Sequence, residues 1–225
     1  PDAVVFDPAP TAIAEIVGGE LPSRVARAYR RYRYGPAAFK VDLAVEGGVP
    51  WRAEACRRAG TVHLGGSLEE IVAAERDTNR GRMPARSFVL LCQQYLADPQ
   101  RSAGDIHPIW AYAHVPNGYS GDGEKAVLDQ IERFAPGLRE RIVATATRSP
   151  ADFEAANPNY VGGDIVTGAN TTLQFFFRPR LALDPYSLGV PGLFICSAAT
   201  PPGGGVHGMG GYNAAQSALR HLGHG

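Results

Sequence analysis

The sequence has no apolar run that approaches the roughly 20 residues needed to cross a bilayer, so no membrane-spanning segment is expected. Cysteine is scarce. Cys56, Cys92 and Cys196 stand far apart and form no C-x-x-C pair, which argues against a zinc site or a disulfide framework. A reducing, cytoplasmic setting is the simpler expectation. Neither sign of charge is in excess: 22 basic residues face 22 acidic ones, so no whole-molecule pull towards nucleic acid or an anionic surface is expected. The six histidines, His63, His107, His114, His207, His221 and His224, make no H-x-H or H-x-x-x-H pair, and no metal is expected. There is no G-x-S-x-G elbow for a hydrolase. The N-terminal PDAVVFDPAP has no basic region followed by an apolar one, unlike a signal peptide. Internal repeats are absent too.

What remains is a chain of 225 residues, long enough for one large or two small domains with a real core. AVVF (3–6) and GLFIC (192–196) are short continuous apolar runs, as buried parallel strands are. They are expected to share one sheet. FKVDLAV (39–45) places Phe39, Val41, Leu43 and Val45 on one side, which is the period of a half-buried strand. FVLLCQQY (88–95), PIWAYAHV (108–115) and RIVATATR (141–148) read as its neighbours in a second, mixed sheet. Helices are expected over Thr11–Val17, over 24–33 with Ser23 as cap, over SLEEIVAAERD (67–77), over KAVLDQIERF (125–134), from Ser149-Pro150, and over NAAQSALRHL (213–222). SLEE is a capping box, in which the Ser67 hydroxyl and Glu70 carboxylate serve each other's backbone donors. LQFFF (173–177) is apolar but short. The fold class is α+β.

The densest signal is PPGGGVHGMGG (201–211), between the last expected strand and the last helix. Six of its residues 203–211 are glycine. A turn needs one or two, and each glycine costs up to about 1 kcal/mol in conformational entropy. The excess points to a backbone lying against a ligand. Gly203, Gly205 and Gly208 fit G-x-G-x-x-G, whose glycines admit a phosphate or polar ring to free N–H groups at a helix start. No second strand with an acidic residue follows, so this is not the primary dinucleotide unit. It reads as one half of a site.

CSAATPPGGGVHGMGGYNAAQSAL (196–219) resembles the C-terminal flavin motif of FAD-dependent oxidoreductases of the phytoene desaturase type, within the wider flavin amine oxidase group. GGDI (162–165), QFFFRPR (174–180) and PPGGGVHGMGGYNAA together resemble the branch called pyridine nucleotide-disulfide oxidoreductase domain-containing protein 2. PAAFKVDLAVEGGVPW (36–51) and IWAYAHVP (109–116) are similar with less specificity. The resemblance implies an FAD domain of glutathione-reductase type interleaved with a mixed-sheet substrate domain. Residues 1–22 and 161–225 would belong to the first and residues 23–160 to the second. It implies FAD as cofactor, touched by Gly203, Gly204, Gly205, Val206, His207, Gly208 and Met209 chiefly through backbone N–H groups. It implies hydride removal from, or addition to, a C–C or C–N bond of a small apolar substrate. No catalytic residue is identified. The family's FAD domain opens with a βαβ unit that this sequence lacks. The chain is therefore expected to be the C-terminal part of a larger protein. Alone it is expected to hold FAD poorly, to be inactive, and to expose an apolar face that a missing N-terminal FAD-binding region or a second copy covers.

Two features have plainer explanations. The arginines and tyrosines of RVARAYRRYR (24–33) form a solvated helix face with tyrosines on the core. Cys196 reads as a small buried apolar residue without a redox partner. From another class of function, a non-catalytic module that binds an apolar small molecule is the alternative; the glycine loop argues against it.

Overall fold

The structure, a computed structural model, describes residues 1–223; His224 lies outside them. In chain order the elements are β1 (Val4–Phe6), α1 (Pro10–Val17), α2 (Ser23–Arg30), β2 (Ala37–Glu46), β3 (Thr61–Leu64), α3 (Leu68–Asn79) and β4 (Val89–Cys92). There follow β5 (Ile106–Val115), α4 (Glu124–Phe134), β6 (Ile142–Arg148), α5 (Pro150–Ala156), α6 (Thr172–Phe176), β7 (Leu193–Ile195) and α7 (Met209–His221). They fall into two compact units: Pro1–Gly35 with Asn157–Gly225, and Pro36–Ala156.

In the first unit β1 and β7 pair in parallel, Val4 opposite Leu193 and Phe6 opposite Ile195. AVVF and LFIC do share one sheet, separate from the larger one. Helices α1 and α2 close over the pair. Ile13, Ala14, Val25, Ala26 and Tyr29 pack with Leu188 and Ile195. This packing shifts a sequence-based boundary: residues 23–35, expected with the middle segment, belong to the compact unit of β1 and β7, because α2 buries its apolar stripe there. The arginines at 24, 27, 30, 31 and 33 are exposed while Tyr29 and Tyr32 are buried, the solvated face expected of this helix. Ser23 is not its cap. Pro22 occupies that position and its carbonyl accepts from the N–H groups of Val25 and Ala26.

The second unit is a five-stranded sheet in the order β3-β4-β5-β2-β6. Every neighbouring pair is antiparallel, so the mixed sheet expected here is corrected to a purely antiparallel one. Its connections are long enough to hold helices, but each successive neighbour runs back the other way. The alternation in the sequence is realised directly. Phe39, Val41, Leu43 and Val45 of β2, with Ile109, Ala111, Ala113 and Val115 of β5, line one buried face. Helix α4 lays Val127, Leu128 and Ile131 on it. The opposite face carries Trp110, Tyr112 and His114, all half-buried. The expected strand at 88–95 is shorter, because Gln94–Leu96 turns into a 3₁₀ segment. Among the described residues no helix is long and apolar enough to cross a membrane.

Candidate functional site

The carboxyl ends of β1 and β7 lie side by side, Cys196 donating its N–H to Phe6 O. In open α/β sheets ligands gather beyond such ends. Past β7 the chain turns through Ser197–Thr200, whose Thr200 N–H and hydroxyl both donate to Ser197 O. The glycine loop follows and runs into α7, which begins at Met209, earlier than the 213 expected from sequence. Met209 is thus the first residue of a helix instead of part of the loop, and two glycines stand in its first turn. Gly210 explains why. A Cβ there would stand 2.6 Å from Cys196 O, so only glycine lets the helix start sit against the end of β7.

Two further segments support the loop. A Cβ on Gly203 would meet Arg178 Nη1 at 2.5 Å, and one on Gly204 would meet Val166 O at 3.1 Å. Val166 lies in a turn organised by Asp164, which is fully buried. The Asp164 carboxylate accepts N–H bonds from Gly35 (2.7 Å), Val166 (2.8 Å) and Gly168 (2.7 Å). Tyr32 donates to Thr167 O at 3.0 Å, and burial pushes its hydroxyl pKa well above the usual range. On the other side, Tyr186 ties the loop to the helix. Its hydroxyl donates to Pro201 O (3.0 Å) and accepts from Asn213 Nδ2 (2.9 Å). Ser217 donates to Asp184.

The sequence-predicted residues therefore come together, but not as equals. Gly203 N–H already donates to Thr200 O at 2.8 Å. Met209 N–H donates to the His207 ring, Nδ1, at 3.0 Å, so this histidine caps the helix start with its side chain. The N–H groups of Gly204, Gly205, Val206, His207 and Gly208 have no acceptor among the described residues. They stand exposed at the positive end of the 13-residue α7. Cys196 is only partly buried. Burial and the nearby Asp7 push its thiol pKa up, which leaves it a poor nucleophile.

Sequence reasoning missed Arg178, Asp164 and Tyr186 as supports. The first two lie inside the quoted QFFFRPR and GGDI segments, but their meeting with the loop depends on the fold. In the second unit, rings follow one another from Trp110 through Tyr112, His114 and Phe88 to His63, and His114 Nδ1 bonds Glu75 Oε1 at 2.8 Å. Beside β3 lies a cavity of about 670 Å³ walled by Trp51, Val62, Leu64, Ile71, Phe88 and Phe134.

No family model matches the chain. Two curated proteins called pyridine nucleotide-disulfide oxidoreductase domain-containing protein 2 match over 161 residues, that from Mus musculus at 38% identity and that from Rattus norvegicus at 30%. Each match covers 66% of this chain and 28% of the relative. Phytoene desaturase (lycopene-forming) of Pseudescherichia vulneris matches at 26% over 108 residues, 46% of this chain and 21% of that protein. The chain is related to these oxidoreductases. It spans little more than a quarter of the first two, so what the whole relatives do is not carried over by the match itself. A crystal structure of an oxidoreductase from Methanosarcina mazei superposes with a TM-score of 0.54, covering 98% of this chain and 43% of that one. At 14% identity it shows likeness of fold alone.

Proposed function

We propose that this chain is the flavin-contacting and substrate-binding part of an FAD-dependent oxidoreductase. The reaction removes a hydride from, or adds one to, a C–C or C–N bond of a small apolar substrate. The observation that carries the reading is the run of five N–H groups, Gly204 to Gly208, that have no acceptor among the described residues and lead into the N-terminus of α7 beyond two parallel strand ends. Such donors fit the electron-rich edge of a flavin ring better than they fit an apolar ligand. FAD, when bound, supplies the two-electron chemistry. The residues of this chain hold and polarise it. The first unit is the part against FAD, and the remainder of that site comes from a region outside this chain. The second unit takes the substrate, for which the ring row from Trp110 to His63 and the cavity beside β3 offer apolar surface. The three free cysteines suit a reducing, cytoplasmic compartment.

The test is flavin binding to the chain and to Gly205→Val. Gly205 has φ +152°, and a valine there cannot keep the loop's path. Both tryptophans, Trp51 and Trp110, lie in the second unit, so their fluorescence reports its fold separately. The expected result is at least a tenfold loss of flavin affinity with unchanged tryptophan emission. Equal flavin binding by both proteins contradicts the reading.

A further inference from the structure

The cavity of the second unit has walls and a rim of different chemistry. It measures about 670 Å³ and lies beside β3, the outer strand of the sheet, which is within the size range of small-molecule sites. Its walls, from Trp51 and Val62 to Phe88 and Phe134, are apolar. Its charge is of one sign: Arg52 and Arg133 line it, and no acidic side chain does among the described residues. The Arg52 N–H donates to Phe134 O at 3.2 Å, which sets the two arginine positions side by side. Arg52 is exposed, so it stands at the rim, and its guanidinium has no hydrogen-bond or ion-pair partner among the described residues. Arg133 is only partly committed. Its Nη2 bonds the two Glu70 oxygens at 3.1 and 2.9 Å, while Nε and Nη1 have no acceptor among the described residues. Glu70 is shared with Arg86 and with the Ser67 N–H. One carboxylate thus serves two guanidiniums, and a positive charge is left over. Gly66 admits that charge to the rim: a Cβ there would stand 3.1 Å from Arg133 Nη1. Guanidiniums with free N–H groups at the end of an apolar hollow suit a carboxylate on an apolar body. A neutral apolar ligand gains nothing from them, and a cation is repelled.

We infer that the cavity beside β3 binds an amphipathic monoanion, a carboxylate carried on an alkyl or aryl body. The body lies against Trp51, Ile71 and Phe134, and the head group lies between Arg52 and Arg133. Arg52 is the principal head-group residue, because its fork is uncommitted. Calling this ligand the substrate rests on the reading above of the second unit, to which it adds an acidic end on the apolar substrate.

The experiment is titration of the 225-residue chain at pH 7.5 with decanoate, 1-decanol and decylammonium, up to the solubility of the alcohol, followed by two-dimensional amide NMR. The three probes share one body and differ in charge. Decanoate is expected to bind at least about fivefold more tightly than 1-decanol, with decylammonium weaker still. The largest shifts are expected at residues 52–53, 62–66 and 133–134. Arg52→Gln, checked for folding by thermal unfolding, should lose most of the preference for decanoate and keep its affinity for 1-decanol. A hollow that merely shelters apolar chains would show no ranking by charge. Equal binding of decanoate and 1-decanol by wild type, or an unchanged ratio in a folded Arg52→Gln, overturns the inference and spares the apolar-substrate reading. Binding of none of the three, or shifts confined to residues away from the cavity, overturns the inference and the cavity's substrate role together. Flavin binding by the first unit is tested separately by Gly205→Val. If Arg52→Gln does not fold, the ranking of the three probes by wild type decides.

Discussion

Asp164 is fully buried, and its carboxylate sits among backbone donors with no basic side chain bonded to it among the described residues. Its three N–H partners belong to Gly35, Val166 and Gly168, so one carboxylate fixes the turn on which Gly204 rests. Removing an acceptor strands buried donors at about 1–3 kcal/mol each. Asp164→Ala is therefore expected to lower the unfolding free energy by about 2–4 kcal/mol in urea titration, with Asp164→Asn in between. A loss below 0.5 kcal/mol would show that the turn holds without it. At this scale the sequence was partly legible. The glycine run betrayed itself by its excess over any turn's need. The supports did not, because a buried Arg or Asp looks in sequence like any surface charge. His207 shows the same limit. Its place inside the loop pointed to its backbone N–H, and only the fold shows that its ring accepts the Met209 N–H.

Helix α3 shows an element read correctly from four letters. In SLEE, Ser67 Oγ accepts from Glu70 N–H and Glu70 Oε2 accepts from Ser67 N–H. Arg133 and Arg86 also bond the Glu70 carboxylate. The Arg133 bond, then the Ser67 backbone bond, then Arg86 hold its pKa down to about 2. A depressed folded-state pKa stabilises the helix start above the unfolded value, near 4.3. That contribution fades as pH falls from about 4.5 through about 2. The protection factors of the amides at residues 67–71, taken against intrinsic exchange rates at each pH, are expected to fall over that window in wild type and to lose this pH dependence in Glu70→Gln. Protection factors that stay constant over the window in wild type would refute the assignment. Other elements were less legible. TVHL (61–64) is only four residues, with Thr61 and His63 exposed at the sheet edge, so its alternation is too brief to stand out. LQFFF has strand-like apolarity but forms the short helix α6, capped by the Thr171 side chain on Gln174 N–H. Its Leu173, Phe175 and Phe176 are exposed. Nothing local in that segment distinguishes an apolar surface turn from a buried strand.

At the scale of the whole molecule the division into two units follows from burial, not from composition. The segment 36–156 has one antiparallel sheet with one helix-covered face, and the remainder is tied by the parallel β1–β7 pair across nearly the full length of the chain. Sequence pointed to that pair through its continuous apolar runs, but β1 is not the buried strand those runs suggested: Val5 is exposed, and Val4 and Phe6 are half-buried. Sequence did not find the antiparallel character of the larger sheet, since alternation fixes which face is buried and not the direction of a neighbour. The central claim is that the exposed N–H groups of residues 204–208 are what this chain offers to a flavin. The direct measurement is a two-dimensional amide NMR titration of the chain with FAD. The account predicts that the largest shifts fall on Gly204, Gly205, Val206, His207 and Gly208, with Gly203 and Met209 less affected because their N–H groups are already bonded. Shifts centred on the cavity residues Trp51, Val62 and Phe88, with the loop unmoved, would contradict it.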